Sequence, residues 1–331
     1  MTAILRRLAR RVLTPGESET SLAKRGFHVK DADSRQVLET IGRTFLAGYA
    51  QAVETGTPDA LPTRLDSIPV RYRGFAYEGA AMGFAMADAL TFAKSRRVRA
   101  YLAGAGDPHV YMSYIGVGWA TARLPRFLWP RFPLDPLLQW FLPEGYGFHQ
   151  AYFHTGEYVH GHHRDGPLPW PFDDPHRYAE HAIDQGIGRA LWFVGGTDPQ
   201  VVADLVEGFA PDRRADLYSG AGLAATYAGG ADEDELRLFR KRAGEHHRWL
   251  AQGSAFAAEA RRRAGLATPH TAVATGVLCG TSPDEAARIC TGLRPGPEAL
   301  TGGDGHDRRP AFERWRQDVA DEFASLGGAS Q

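Results

Sequence analysis

Stretches rich in glycine and other small residues alternate along this chain with polar, amphipathic stretches. The small-residue stretches recur at intervals of 23 to 39 residues, and their central glycines are Gly79, Gly116, Gly147, Gly186, Gly220, Gly253 and Gly276. Glycine inside a helix costs about 1 kcal/mol relative to alanine, so its recurrence within helices needs a packing reason. Close approach of neighbouring helices supplies that reason, and the intervals indicate stacked supersecondary units.

The polar stretches between them predict outer helices. TDPQVVADLVEGFAPDRRADL has Thr197, Asp198 and Pro199 at a helix start, and Asp232 begins the acidic first turn of GADEDELRLFRKRAGEHHRWL. We therefore predict an all-α fold built as a helical-hairpin array, similar to an α-solenoid, with a repeat of about 31–39 residues and few or no strands. Small-residue helices would lie inside and amphipathic helices outside. An irregular all-α domain with glycine-rich packing is the alternative.

Three regions are expected along the chain. Residues 1–33 are an N-terminal basic segment, residues 34–294 a single all-α helical-repeat domain, and residues 295–331 a flexible loop, a terminal helix and a disordered tail. The first long helix is predicted to begin at Ser34 and to end at Gly56.

The N-terminus carries four arginines beside apolar residues at helical spacing, in MTAILRRLARRVLTP. This pattern predicts either contact with an anionic membrane surface or a short helix packed on the body of the protein. The Pro-, Trp- and Phe-rich residues 119–143 predict a buried connection or a hydrophobic wall for a ligand or partner.

Bulk composition narrows the function classes. The 331 residues are 43% hydrophobic and 23% charged with a net charge of −1, which argues against a dedicated nucleic-acid binder. The two cysteines form no CxxC pair, so neither a disulfide framework nor a cysteine zinc site is indicated. No apolar run is long enough to span a bilayer. We expect a cytoplasmic protein, with peripheral membrane contact through the N-terminus as the alternative.

The densest group of histidines lies in GYGFHQAYFHTGEYVHGHHRDG, residues 145–166. His149 and His154 are five positions apart, so on one helix they should point in different directions. Glu157 and His160 form a Glu-x-x-His pair, but a di-iron bundle needs two such pairs and the sequence has one.

A loop after that helix offers the best metal candidate. His160, His162 and Asp165 match the residue types of a two-His-one-carboxylate site. The alternative is a solvated turn whose histidines lie near a helix C-terminus, where a positive charge is favourable. The cofactor is otherwise unknown from the sequence, and a metal ion is the one that this segment suggests.

Charged residues within or beside small-residue helices are the catalytic candidates. Because a charge on a concave interior needs a partner or a ligand, a polar pocket is predicted from five residues, namely Glu78, His149, His154, Asp184 and Arg189. The alternative is that interhelical ion pairs fix the register of the array. P-loop and nucleophile-elbow motifs are absent from the sequence, which lowers the weight of nucleotide-dependent chemistry and ordinary hydrolysis.

Several segments together resemble a bacterial family carrying a domain of unknown function that occurs in enediyne antibiotic gene clusters, where its members are called UnbL-type proteins. The resemblance runs from about residue 25 to about residue 293 and rests on RGFAYEGAAMG, DPHVYMSYIGVGWATARLP, DPLLQWFLPEGYGFHQAYF, DQGIGRALWFVGG and DLYSGAGLAATYAGG. It implies that the protein accompanies an iterative polyketide synthase that makes a linear polyene. With a membrane flavoprotein-like partner and others, the family would convert the polyene into the enediyne core. No catalytic residues are carried over.

Two functional hypotheses follow. The first is an accessory protein of enediyne core biosynthesis that binds or oxidatively processes a linear polyene-derived intermediate. Its partners would be a hydrophobic polyene-like small molecule and other pathway proteins, and not nucleic acid. The second is a non-catalytic helical-repeat scaffold that holds pathway enzymes together, either away from the membrane or at its surface through the basic N-terminus. Whether the protein is an enzyme stays open between them.

Overall fold

The computed structural model describes residues 16–301 and 309–328, and in these ranges the chain is helical with no β-strand, so the all-α prediction is confirmed. The α-helices are α1 (Leu22–Arg25), α2 (Ala32–Thr55), α3 (Leu61–Leu65), α4 (Val70–Leu90), α5 (Arg96–Leu102), α6 (Val110–Arg123), α7 (Phe141–Phe153), α8 (Tyr178–Val194), α9 (Pro199–Gly208), α10 (Pro211–Ala228), α11 (Glu233–Ala243), α12 (His247–Arg263), α13 (Pro269–Leu278), α14 (Pro283–Gly292), α15 (Pro297–Thr301) and α16 (Ala311–Gly328). A π-helical turn at Gly156–His160 follows α7.

The helices form two layers. Eight of them, which we call the wall helices, each pack on the next one in chain order, and they are α2, α4, α6, α7, α8, α10, α12 and α14. Helices α9, α11 and α13 pack outside this row and contact one another in sequence. The predicted arrangement, with small-residue helices inside and amphipathic helices outside, holds for α4, α6, α7, α8, α10 and α12 inside and for α9 and α11 outside. It is wrong for α13, which contains the predicted small-residue stretch around Gly276 but lies in the outer layer.

Pairs of glycines two positions apart let the wall helices α6, α7, α8 and α10 each lie between two neighbours. Two positions correspond to a rotation of about 200°, so the two residues face opposite sides of the helix. A Cβ added at Gly186 of α8 would lie 1.9 Å from the Glu144 carbonyl oxygen of α7, and one at Gly188 would lie 2.1 Å from the Leu217 carbonyl oxygen of α10. The same opposed pairs occur at Gly116/Gly118, Gly145/Gly147 and Gly220/Gly222. Such contacts leave no room for any side chain, as at glycine-mediated helix crossings generally.

Two of the predicted repeat centres need correction. Gly147 faces the following wall helix at Ile183, and Gly145 is the residue equivalent to the other centres because it faces the preceding helix at Ile115. Gly276 is not a repeat centre, because a Cβ added there meets no atom within 4 Å. Its helix, α13, belongs to the outer layer.

Helix boundaries follow local capping. The N-cap of the first long helix is Asp31, three residues before the predicted Ser34. The Ser34 side chain instead closes a capping box with Asp31. Its end at Gly56, which has a φ of 66°, is as predicted. The predicted helix starts are also confirmed, with Asp198 capping α9 and Asp232 capping α11.

The C-terminal region is partly helical where a loop was predicted. Helix α15 lies within the predicted loop 295–310, so that prediction is wrong for Pro297–Thr301. Helix α16 packs on α12, with Phe312 and Trp315 buried in the core. The tail predicted to be disordered is residues 327–331; Gly327 and Gly328 belong to α16, so the prediction is wrong for these two. The basic residues 1–15, residues 302–308 and residues 329–331 lie outside the described residues. Nowhere in the described ranges is a helix both long and apolar enough to cross a membrane.

Candidate functional site

One face of each wall helix points into the interior, and the glycine pairs determine which one. Take the first small residue of a pair as position i. Residues i−1 and i+3 then lie about 40° apart around the helix axis, on the side between the two faces that carry the small residues. Counted from Gly79, these are Glu78 and Met82, and both line an interior cavity. The residues three after Gly116 and Gly145 are Trp119 and Phe148, which line the same cavity.

The first cavity is apolar and aromatic. Its volume is about 60 Å³. Its aromatic walls come from five different helices or helix ends and include Phe45, Trp119, Phe148, Tyr152, Phe153 and Phe193. Rings pack edge to face around it, as for Trp119 and Phe148, whose centroids are 5.0 Å apart. The outer end of the cavity is bordered by Arg123, which is exposed, and by Glu19 and Thr20, which lie just before α1.

A second, smaller cavity of about 20 Å³ lies further along the same interior axis. Its lining includes Ile115, Phe141, Arg189, Tyr227, Phe256 and Trp315. On α6, α7 and α8, the residues that line the second cavity precede those that line the first. On α8, for example, Arg189 lines the second cavity and Phe193, one turn later, lines the first. The two cavities are therefore successive compartments of one interior.

A buried charged group separates the two compartments. Arg189 Nη1 donates a hydrogen bond of 2.9 Å to Glu144 Oε1, and the guanidinium lies over the Phe148 ring at 5.4 Å. Glu78, on the side of the first cavity, is 1% exposed, and its Oε1 has no hydrogen-bond partner among the described residues. Burial raises the pKa of Glu78 to about 7, against the lowering effect of Arg189 and with a further increase from Glu144.

Which of the two carboxyl groups carries a proton follows from how Arg189 is paired. The single guanidinium that faces both carboxyl groups donates to Glu144, so Glu78 is the carboxyl without a direct cationic donor. Burial also raises the pKa of Glu144, but the Arg189 charge and hydrogen bond oppose that rise. Below about pH 7 Glu78 is a neutral acid that can donate a hydrogen bond into an apolar space.

Other polar atoms around the compartments also lack partners in the described structure. They are Trp119 Nε1 beside the first cavity and Tyr111 OH, Tyr227 OH and Arg189 Nε beside the second. Buried polar groups are nearly always hydrogen-bonded to protein or to an internal molecule. A bound molecule carrying oxygen atoms, or internal water, would satisfy these donors.

The two predicted pocket histidines lie outside the lining of both cavities. Buried His149 packs against Trp119 and Phe153, with ring centroids 5.4 and 4.6 Å away. Burial lowers the pKa of His149 to about 3, so it is a neutral packing residue. The expectation that His149 and His154 diverge applied to one continuous helix, but α7 ends at Phe153 and His154 is its C-cap; the two ring centroids are 6.5 Å apart.

Asp184 belongs to a different contact. Its carboxylate accepts hydrogen bonds from Arg213 Nε at 3.0 and 3.1 Å, and Arg213 Nη1 donates to the His162 carbonyl oxygen at 2.8 Å. This buried pair ties α8 to α10 and, through Arg213, to the loop within the histidine segment at His162. Of the five predicted pocket residues, the structure brings Glu78 and Arg189 together, and Asp184 forms an interhelical ion pair instead.

The three metal candidates do not converge on one point. His160 is exposed at the end of the π-helical turn, and the His162 ring lies 4.3 Å from the Phe209 ring. Asp165 accepts hydrogen bonds from Tyr146 OH at 3.3 Å and Tyr158 OH at 2.9 Å. Across residues 16–301 and 309–328, no group of three or more His, Cys, Asp or Glu side chains is arranged to hold a metal ion. Metal binding by this loop stays a prediction.

Sequence reasoning missed Glu144, the partner that holds Arg189. The signal was present, because Glu144 directly precedes Gly145 just as Glu78 directly precedes Gly79. It was hidden by taking Gly147 as the repeat centre, which shifts the inward positions by two residues and therefore to the opposite side of the helix.

Comparison with known proteins gives one match. A family model described as "Protein of unknown function (DUF1702)" matches residues 4–323, which is nearly the whole chain. The curated proteins contain no match to this chain. No solved structure matches it. The function therefore has to be argued from the interior of the protein itself.

Proposed function

The chain belongs to the DUF1702 family, which is described as having no known function, and we propose that it binds a linear, polyene-like apolar molecule in the first cavity. The observation that carries this proposal is the aromatic, apolar cavity with a buried, unpartnered carboxyl group at its inner end. The resemblance to UnbL-type proteins supports a place for this binding in enediyne core biosynthesis, where the chain would be an accessory protein.

The lining of the cavity fits such a ligand. Small-molecule sites enclose about 300–1,000 Å³ and are lined mainly by apolar and aromatic side chains, with a few polar groups that fix orientation. The enclosed volume here is about 60 Å³, so a ligand of that size enters only if the aromatic side chains move apart to enlarge the cavity. A conjugated chain is flat and apolar, so the edges and faces of Phe45, Trp119 and Phe148 offer it extensive contact.

Glu78 gives the ligand an orientation. A neutral carboxylic acid in an apolar cavity donates a hydrogen bond, so an oxygen-bearing end of the ligand would lie beside it. An unsatisfied donor in such a place is unfavourable by about 1–3 kcal/mol, which a carbonyl or hydroxyl oxygen would recover. A polyene held extended between Glu78 and the mouth at Arg123 would be presented to oxidative enzymes of the pathway.

Binding is tested with diphenylhexatriene, an apolar polyene whose fluorescence rises in apolar surroundings. We expect saturable enhancement with the wild-type chain and an affinity at least about tenfold lower in Leu46→Trp, because the indole occupies space at the cavity lining. Fluorescence titration measures both.

Leu238→Trp is the matched control, since Leu238 is 40% exposed and lines neither cavity. Equal affinity of the wild type and Leu46→Trp would contradict binding in the first cavity. A chain that fails to bind the probe but co-purifies with a pathway enzyme would favour the scaffold hypothesis.

Glu78 also makes stability depend on pH. Its folded pKa of about 7 lies above the ordinary 4.5, so the folded state binds its proton more tightly and wild-type stability falls as pH rises from about 4.5 to about 7. Glu78→Gln removes this loss. We expect the variant to gain stability relative to wild type above pH 7, on the order of 3 kcal/mol, and little at pH 4.5.

Urea unfolding at pH 4.5, 6 and 8 checks this expectation. Glu245→Gln, at a side chain that is 89% exposed, is the control and should show no such pH trend. A Glu78→Gln difference that is constant with pH would show that folding does not raise the pKa of Glu78.

A further inference from the structure

The most exposed apolar side chains of the described structure lie together in two neighbouring segments. Phe92 and Phe127 are each 77% exposed, and Leu90 is 47% exposed, more than any other large apolar residue in the described ranges. Residue 92 follows α4 and residue 127 follows α6. The Arg131 backbone N–H donates to Ser95 Oγ at 3.1 Å, which joins the two segments directly.

Unpaired positive charge surrounds these aromatic rings. Residues 89–106 and 119–134 contain seven Lys or Arg and no Asp or Glu. Of the seven, Arg97 is held by buried Asp88 at 2.9 Å. The other six are exposed and form no ion pair within residues 16–301 and 309–328, and they are Lys94, Arg96, Arg99, Arg123, Arg126 and Arg131. We call these six cations with Leu90, Phe92 and Phe127 the basic aromatic patch.

The backbone holds Phe92 outward. Phe92, Lys94 and Ser95 have φ values of 52°, 48° and 57°, a region that non-glycine residues rarely adopt. Asp88 maintains this turn, because its Oδ2 accepts hydrogen bonds from the backbone N–H groups of Arg97 at 2.8 Å and Val98 at 3.1 Å. The Phe92 ring is therefore exposed because the hydrogen bonds to Asp88 hold this turn in place.

The patch lies at the outer end of the first cavity. Arg123 belongs to both, since it is exposed and also lines the cavity. Phe127 lies four residues beyond it, after the end of α6.

We infer that the basic aromatic patch docks on an anionic lipid bilayer, with Phe92 and Phe127 entering the headgroup region and the six cations facing lipid phosphates. Aromatic rings that enter the interface bring apolar burial, and each nearby Lys or Arg adds attraction to an anionic surface. The absence of acidic residues from both segments favours a negatively charged partner. This inference does not depend on the proposed ligand, although an apolar ligand would be concentrated in the same bilayer.

The test is co-sedimentation of the full chain with vesicles of phosphatidylcholine alone or mixed with phosphatidylglycerol. We expect binding to the mixed vesicles that weakens with salt, and an affinity about tenfold lower for Phe92→Ser with Phe127→Ser. Arg126→Glu with Arg131→Glu should lower it by a similar or larger factor. The matched control is Leu238→Ser with Arg240→Glu on outer helix α11, where both residues are exposed, and it should bind as wild type does.

A second readout reports insertion directly. Both native cysteines are buried, so an environment-sensitive dye attached to Phe92→Cys labels one site. Its emission should shift to the blue when mixed vesicles are added. No vesicle binding at all, as expected if the partner is an acidic protein, would overturn the inference. So would unchanged binding of both double variants, which would place the contact elsewhere, as at the arginines of residues 1–15.

Discussion

Replacing Gly186 by alanine is expected to destabilise the protein by about 4 kcal/mol or to prevent folding. The added Cβ would lie 1.9 Å from the Glu144 carbonyl oxygen and 2.7 Å from the Phe148 backbone nitrogen. Both atoms belong to the backbone of α7, so no side-chain rotation can relieve the overlap and the two wall helices must separate. Urea unfolding followed by circular dichroism measures the loss, and soluble yield reports outright failure to fold.

Gly276→Ala is the matched control, because it makes the same chemical change within a helix. A Cβ there meets nothing within 4 Å, and alanine is the better helix former, so this variant should gain up to about 1 kcal/mol. If both variants unfold within about 1 kcal/mol of wild type, the close approach of α7 and α8 is not as the structure has it.

Replacing Arg189 by leucine is expected to cost about 3–5 kcal/mol. The change leaves the buried Glu144 carboxylate without its cationic partner, and an unpaired buried charge is far more unfavourable than a buried pair is favourable. Because the Glu144 pKa would rise further in this variant, the loss should shrink as pH falls and the carboxyl is protonated. Denaturant unfolding at pH 5 and pH 8 measures the effect.

Two further variants isolate the pair. At pH 5, where Glu78 is a neutral acid, Glu144→Gln combined with Arg189→Leu should recover most of the lost stability, since no unpaired charge is then buried. Arg237→Leu breaks an exposed pair with Glu233, whose side chains are 63% and 57% exposed, and should cost about 0.5 kcal/mol or less. A double variant no more stable than Arg189→Leu would mean that Arg189 acts through packing on Phe148 and not through the charge of Glu144.

The glycine packing that the first of these predictions tests could be predicted from the sequence. The recurrence of glycine in otherwise apolar helices indicated tight helix packing, because its cost in a helix has to be offset by contact. The two-residue spacing of Gly186 and Gly188 also carries information: it places small residues on opposite faces and so predicts a helix between two neighbours. With that spacing, Gly145 would have been chosen over Gly147, and Glu144 would have been placed inside.

Only part of the candidate site could be predicted from the sequence. Glu78 and Arg189 were predicted because charges within small-residue helices need partners, and both border the compartments. His149 was proposed for the same pocket, but Phe148 is the residue of α7 that lines the cavity. His149 follows it by one position, so it points about 100° away and packs against Trp119 and Phe153. The basic aromatic patch escaped sequence reasoning because residues 119–143 are as apolar as a buried connection, and the exposure of Phe127 is a property of the folded surface.

The sequence by itself determined that this protein is an all-α, two-layer array, since helix caps, the 3.6-residue periodicity and the glycine spacing are local properties. Only the tertiary structure decided which residues enclose the two compartments, that Glu144 takes the Arg189 guanidinium, and that Glu78 is left without a donor. The physical reason is that burial and pairing depend on distances between segments far apart in the chain. Those distances are established when all the wall helices pack together, and no local pattern encodes them.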